Sequence, residues 1–367
     1  ARPRTGLRKT SSRLADGREI IYFDESDDAA ASRIMVDSRD LPPIASLSTN
    51  RYDALVDEWV TVAPHRQGRT HLPPADECPL CPSRPGHQTE IPSPDYDVVV
   101  FENRFPSFAG AEPAPGTPAL NGFSRLRPGA GRCEVVCFTP EHDTSFAALA
   151  PTRVRTVLEA WVDRTVALEA LPSVAQVFCF ENRGREIGVT LGHPHGQIYG
   201  YPFVTPRTAR MLAAARRYRD RTTGNLFADL LRAEIQVGER IVARTAHWTV
   251  FVPYAARWPI DIRLYPNDPV TSLPGLSEEQ RQDFCQVYLE TLRRLHKAYG
   301  ADAGYIAGWH QAPAAADADL AYLHLEILSL RRAPGKLKYL AGSEAVMGAF
   351  LNDIAPEDAA RILRDAL

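Results

Sequence analysis

His193-Pro194-His195-Gly196-Gln197-Ile198 is the stretch on which the reading of this chain turns. In an extended strand alternate side chains share a face, so His193, His195 and Gln197 are expected along one wall of a site. Pro194 cannot donate to a ladder and suits an edge or a strand start. Gly196 lets a ligand approach the backbone. Two imidazoles and an amide suit an anionic phosphorus centre, or a metal beside one. A neutral imidazole attacks phosphorus when its other nitrogen donates to a carbonyl, which fixes the tautomer. Positioning the phosphates and stabilising their charge is then the remaining work, and Gln197 is placed to bond a non-bridging oxygen. The plainer alternatives are that both histidines ligate a metal or are satisfied core residues. Convergent groups on one strand favour chemistry.

Outward from this run the order of elements repeats. Val98–Phe101 and Glu134–Phe138 read as strands, Phe146–Leu171 as a helix, and Val174–Glu181 as a strand entering the loop 182–192. In the second half Trp248–Val252 and Ile260–Leu264 read as strands. Ser277–Tyr299 reads as a helix opening on a capping box, Ser277-Glu278-Glu279-Gln280. Tyr305–Trp309 and Tyr322–Ser329 are again strands, and His324-Leu325-Glu326 is expected where the first half has His193-Pro194-His195. The pattern predicts an α+β protein, duplicated, with one active and one altered copy. Its boundaries are residues 1–45 as an N-terminal arm and linker, 46–205 as the first half and 206–367 as the second. Within this frame residues 1–17 read as a loose arm, 26–45 as linker, Arg51–Pro64 as one strand and 109–131 as a long surface loop.

Composition excludes several classes. The 367 residues are 44% hydrophobic and 24% charged, an ordinary globular balance long enough for two domains. Forty-two basic against 45 acidic residues give −3, no footprint for bulk nucleic-acid binding. No run of 18 apolar residues exists, so no membrane span is expected, and the N-terminus lacks the apolar core of a signal peptide. Six cysteines in so long a chain are not a disulfide scaffold, and a cytoplasmic protein with reduced thiols is the expectation.

Cys78-Pro79-Leu80-Cys81 is half a zinc knuckle, and two more ligands must come from elsewhere. His142, past a strand end, and His193 would complete a Cys₂His₂ site tying the cysteine loop to the strand of His195. A redox pair is the weaker alternative, since no thioredoxin-like βαβ context surrounds it; two free thiols is the other. Arg66 and Arg69 lie in a loop, where arginine forks suit phosphates and solvated charge is the plain alternative. Asn182, Gly184 and Gly188 lie in a loop able to offer backbone N–H groups to phosphate.

Several motifs together resemble one family. These are His193–Gln197, Phe101-Glu102-Asn103-Arg104-Phe105-Pro106, Phe180-Glu181-Asn182-Arg183-Gly184, Gly308-Trp309-His310-Gln311-Ala312-Pro313 and Lys338-Tyr339-Leu340-Ala341-Gly342-Ser343-Glu344. Across roughly residues 50 to 357 the chain resembles the galactose-1-phosphate uridylyltransferases, a duplicated branch of the histidine-triad superfamily. The resemblance implies two histidine-triad-like halves, each an antiparallel sheet flanked by helices. It implies a ping-pong exchange: His195 attacks the α-phosphorus of UDP-glucose, glucose 1-phosphate leaves, and galactose 1-phosphate takes the uridylyl group to give UDP-galactose. Gln197 matches the residue that holds the transferring phosphoryl group. Gly196 matches this branch, whereas related phosphorylases and adenylyltransferases carry serine there. Cys78, Cys81, His142 and His193 match structural zinc ligands. Arg66, Arg69, Asn103, Asn182, Gly188, Thr190, Lys338 and Glu344 match positions contacting the nucleotide sugar, some of them, the arginine loop and the lysine segment included, across a homodimer interface. The chain departs from members that bind iron: Met211 falls on a glutamate position, and Glu326 replaces a histidine beside His310 and His324. Ser343 stands where some members carry an aromatic near the sugar phosphate, and Leu191 and Gly192 where some carry polar residues. The rival readings are a nucleotide-sugar phosphorylase or adenylyltransferase, and a non-catalytic nucleotide-sugar binder.

Overall fold

Runs such as Ile20-Ile21-Tyr22-Phe23 and Val98-Val99-Val100-Phe101 are continuously β-branched and aromatic, the composition of strands covered on both faces. The computed structural model of the chain describes residues 7–26, 33, 35–43, 47–69, 71–110, 120–314 and 317–367. The chain divides into two units: residues 1–144, 156–179 and 190–209, and residues 145–155, 180–189 and 210–367.

The first part of the chain forms β1 (Arg8–Arg13), β2 (Glu19–Asp24), β3 (Thr49–Asp53), β4 (Glu58–Val62), β5 (Val98–Glu102), β6 (Leu126–Pro128) and β7 (Arg132–Cys137). Helix α1 (Pro151–Glu169), β8 (Gln176–Arg183) and β9 (His195–Tyr201) follow. In the first unit β1, β2, β5, β7 and β9 pair antiparallel in that order. β3 pairs with β4 and with β6 in a separate small sheet. The core gathers Ile20, Tyr22, Leu80, Ile91, Tyr96, Val99, Phe101 and Cys137. α1 adds Val157, Leu158, Trp161 and Leu168 along one stripe, with Trp161 edge-on to Phe138.

Three expectations are corrected here. The arm contains a strand: Arg8–Arg13 pairs residue for residue with β2. Its side chains are polar, and backbone pairing at an edge leaves no apolar signal to read. Residues 1–6 lie outside the described residues. Arg51–Pro64 is a hairpin: Asp53 Oδ1 accepts the Leu55 N–H at 2.9 Å, and Asp57 takes φ 56° at the turn. The loop 109–131 contains β6, while 111–119 lie outside the described residues. The linker stretch, of which 27–32, 34 and 44–45 are likewise outside, is tied down by arginine pairs. Arg33 meets Asp24 at 2.7 Å and Arg39 meets Glu90 at 2.9 Å.

The later chain forms α2 (Pro206–Thr222), α3 (Leu226–Val237), β10 (Ile241–Arg244), β11 (Trp248–Phe251), β12 (Ile260–Pro266), α4 (Glu278–Tyr299), β13 (Tyr305–His310) and β14 (His324–Ser329). It ends in β15 (Arg331–Ala333), β16 (Lys336–Leu337), α5 (Gly342–Met347) and α6 (Pro356–Asp365). In the second unit β10, β11, β12, β14 and β13 pair antiparallel in that order, and Phe180–Arg183 pair with β13. The expected capping box holds: Ser277 Oγ accepts the Gln280 N–H at 3.2 Å and Gln280 Oε1 accepts the Ser277 N–H at 2.9 Å. Such a cap contributes about 1 kcal/mol. Trp248, Phe284, Tyr288 and Trp309 form the aromatic centre of this core. Among the described residues no helix is long and apolar enough to cross a membrane.

The two units repeat one plan, and the register between copies differs from the sequence expectation by two residues. Val100, Val136 and Gly196 stand abreast in the first unit, as Val250, Leu264 and Leu325 do in the second. β14 begins on His324 as β9 begins on His195, and each Nδ1 lies against the carbonyl two residues back, so His324 answers to His195 and Glu326 to Gln197. The sequence pattern misaligned the pair because it matched the first histidine of one run to the first histidine of the other.

Candidate functional site

Pairing with β7 sets His195 opposite Cys137 and Gln197 opposite Val135. Along β9 the half-buried His195, Gln197, Tyr199 and Tyr201 alternate with buried Gly196, Ile198 and Gly200. The expected single wall is thus corrected at its first member: His193 precedes the strand and is buried, while the wall runs on to Tyr199 and Tyr201. Gly200 is required by close packing, since a Cβ there would meet Val174 Cγ2 at 2.8 Å.

His195 Nδ1 lies 2.7 Å from the His193 carbonyl oxygen. A carbonyl only accepts, so Nδ1 carries the proton and Nε2 keeps its lone pair. Burial holds the His195 pKa below its ordinary value, which favours the same neutral form. Tyr199 Oη donates to Gln197 Oε1 at 3.0 Å. The amide is thereby oriented with its NH₂ left to donate. Tyr199 was missed in the sequence, although the period of two that singled out Gln197 continues to it.

Cys78, Cys81, His142 and His193 converge, with one ligand atom from each lying within 4.8 Å of the others. Cys81 Sγ is 3.3 Å from His142 Nδ1 and 3.5 Å from His193 Nδ1. His193 Nε2–H donates to the Thr139 carbonyl at 2.8 Å, so Nδ1 offers its lone pair to the cluster. Tyr96 Oη donates to the same carbonyl at 2.6 Å. Such outer hydrogen bonds orient ligating histidines. Burial lowers the His193 pKa to about 4, and burial with Cys78 nearby pushes the Cys81 thiol up to about 12. A bound divalent cation reverses the cost of thiolates here, and the donor set fits one. Thr139 and Tyr96 carry no sequence signal for this role.

The other nominated residues fall in several places. Arg66 sits in a single 3₁₀ turn, Pro64–Gly68, and donates to the Phe105 carbonyl; Arg69 follows the turn and is exposed. Asn103 Oδ1 accepts the Phe105 N–H at 2.8 Å. The Thr190 carbonyl accepts the Leu72 N–H at 2.7 Å. In the second unit Asn182 stands opposite Ile306, and Gly188, at φ 80°, closes the 3₁₀ turn Arg185–Ile187. Lys338 Nζ and Glu344 Oε1 pair at 3.2 Å. The backbone N–H groups of α5 and Lys338 hold the Glu344 carboxyl down to about 2.

His310, His324, Glu326 and Met211, which the resemblance places at iron-binding positions, lie in the second unit. Glu326 Oε1 meets the Arg263 guanidinium at 2.6 Å and Oε2 meets His310 Nε2 at 2.7 Å. His324 is stacked between Tyr265 and His310, each ring 4.6 Å away. Its Nδ1 lies 2.8 Å from the Tyr322 carbonyl oxygen. Met211 packs on an apolar cluster that includes Leu212, Phe227, Ala312 and Tyr322.

This geometry defines a class: a duplicated antiparallel α+β protein with a tautomer-fixed, strand-borne imidazole and a Cys₂His₂ cluster. The model of the N-terminal domain of galactose-1-phosphate uridyl transferase matches residues 38–205, and that of its C-terminal domain residues 212–367. The galactose-1-phosphate uridylyltransferase of Streptomyces lividans is 51% identical over 84% of this chain and 81% of its own length. That of Thermotoga maritima is 35% identical over 86% of this chain and 97% of its own. A solved uridylyltransferase structure superposes with a TM-score of 0.76 at 30% identity, covering 87% of this chain and 98% of that one. The chain belongs to the galactose-1-phosphate uridylyltransferase family.

Proposed function

We propose that the chain is a nucleotidyltransferase that moves uridylyl from UDP-glucose to galactose 1-phosphate, giving UDP-galactose and glucose 1-phosphate through a uridylyl-histidine on His195. The observation that carries the mechanism is the 2.7 Å contact of His195 Nδ1 with the His193 carbonyl, which leaves Nε2 as the nucleophile. Nε2 attacks the α-phosphorus, the bond from that phosphorus to the bridging oxygen breaks, and glucose 1-phosphate leaves. The phosphate of galactose 1-phosphate then attacks the same phosphorus and Nε2 departs. The Gln197 amide donates to a non-bridging oxygen as charge builds. Arg66, Arg69, Asn103, Asn182, Gly188, Thr190, Lys338 and Glu344 contact the nucleotide sugar, with the arginine loop and lysine segment reaching the site of a second subunit in a homodimer. Residues 46–205 form the catalytic half and 206–367 the altered one.

Cys78, Cys81, His142 and His193 hold a zinc ion. Its contribution is structural, joining the cysteine loop to the start of β9. The second half holds no iron: a guanidinium already neutralises Glu326, and Met211 offers no charge. The protein works in the cytoplasm with reduced thiols.

UDP-glucose labelled in the α-phosphate tests this reading. The expected result is an acid-labile, base-stable label on the protein, absent in His195→Ala. No label, or label retained by that variant, overturns the mechanism. The phosphorylase and adenylyltransferase reading predicts turnover of ADP-glucose with phosphate, and Gly196 in place of serine speaks against it. A non-catalytic binder predicts no exchange of label between UDP-glucose and glucose 1-phosphate.

A further inference from the structure

Asn182 and Gly188 bracket a short loop whose fastening lies some 120 to 150 residues further along the chain. Its 3₁₀ turn, Arg185–Ile187, carries Glu186, whose side chain is 11% exposed although glutamate in a surface turn is ordinarily solvated. Glu186 Oε1 accepts the Gly304 N–H at 2.7 Å and Arg331 Nε at 3.0 Å, and Oε2 accepts Arg331 Nε at 3.1 Å. Arg331 is itself held: one terminal nitrogen donates to the Tyr299 carbonyl at 2.9 Å, and the other meets Asp302 Oδ2 at 3.0 Å. Close packing reinforces the joint. A Cβ on Gly184 would meet Gly304 Cα at 2.7 Å, and a Cβ on Gly304 would meet Glu186 Cγ at 2.6 Å. Ser329 Oγ completes it by donating to the Gly304 carbonyl at 2.5 Å.

We infer that Glu186 and Arg331 form a clamp that positions the loop 184–188 for the nucleotide. They are positioning residues, acting through Asn182 and Gly188, and the role rests on the assignment of those two to nucleotide contact. Gly188, at φ 80°, closes the turn by donating its N–H to the Arg185 carbonyl at 2.9 Å, so where Gly188 sits depends on what fastens that turn. A carboxylate that takes the Gly304 N–H and, through both oxygens, the Nε–H of a fixed guanidinium supplies that fastening. Preorganising a binding loop in this way cuts the ordering cost of each binding event. The nucleotide stays bound through ground and transition states, so the clamp contributes mainly to KM.

The test uses the full-length protein, with UMP as an inert probe. Glu186→Ala and Arg331→Gln are expected to speed hydrogen exchange at residues 184–190, with the α4 and β14 amides unchanged. UMP affinity falls and KM for UDP-glucose rises, each by about tenfold, while kcat stays within about twofold. Glu186→Gln keeps an acceptor for Gly304 and recovers part of the affinity. Unchanged exchange and affinity in Glu186→Ala overturn the clamp. Faster exchange with unchanged UMP affinity overturns its positioning role, as does exchange raised throughout the protein with normal affinity in the folded fraction. Failure of the unaltered protein to bind UMP overturns the functional reading, and the inference with it.

Discussion

His195 and His324 occupy the same place in two copies of one plan, yet their surroundings differ. Both begin a strand, and both Nδ1 atoms lie against the carbonyl two residues back, at 2.7 and 2.8 Å. What differs is the company. His195 is half buried, with Gln197 and Tyr199 on its face, whereas His324 is 2% exposed and stacked between Tyr265 and His310. The position of Gln197 is held in the second copy by Glu326, saturated by Arg263 and His310. The two copies share backbone geometry at this position and differ in the side chains around each ring.

The most direct way to break this comparison is to exchange losses. His195→Ala is expected to lower exchange between UDP-glucose and glucose 1-phosphate by more than about a thousandfold. His324→Ala, assayed alongside, should leave kcat within a few-fold and lower stability by about 2–4 kcal/mol in urea unfolding. Equal loss of activity in both variants would sink the assignment. Glu326→Ala comes next. It removes the carboxylate between Arg263 and His310, while Arg263 keeps Asp261 Oδ1 at 3.0 Å, and should cost about 1–3 kcal/mol. The metal content by mass spectrometry should stay at one zinc per chain; a fall in metal on this substitution would mean that the second half holds an ion.

Buried acids sharpen the comparison through pH. In the first unit Glu134 is ion-paired with Arg164 at 2.8 Å. In the second, Glu181 accepts the Tyr305 Oη–H at 3.0 Å, and burial raises its pKa to about 7. The folded state then binds the proton more tightly than the unfolded chain does. That contribution is complete below about pH 4.5 and is lost as pH rises towards about 7. Glu181→Gln should flatten this stretch of the stability profile in urea titrations at stepped pH. A slope unchanged by the substitution would assign it to other groups. Smallest is Tyr199→Phe, which removes one hydrogen bond from Gln197, about 1 kcal/mol. The expected result is a severalfold fall in kcat/KM with unchanged zinc content.

The chemistry was legible in the sequence wherever it resides in residue type and short spacing. His193–Gln197 and the Cys78/Cys81 pair announce themselves, and Cys78, Cys81, His142 and His193 do converge. The period of helices and buried strands located α1, α4 and most strands of the two cores. Three kinds of feature were not legible. The polar edge strand β1 is held by backbone bonds that side-chain patterns do not encode. The two-residue register between copies shows only in where β9 and β14 begin and in the main-chain contact of each histidine ring. The Glu186–Arg331 joint spans 145 residues, and no local spacing marks it.

One residue links the two parts of the first-unit site. The His193 ring faces the cysteines, while its main-chain oxygen holds the proton of the His195 ring. A single residue thus acts as a splint between the Cys₂His₂ cluster and the imidazole proposed as nucleophile. Chelation would then be felt first as a misaimed imidazole, before any unfolding, and activity should decay ahead of the melting transition as the ion is withdrawn.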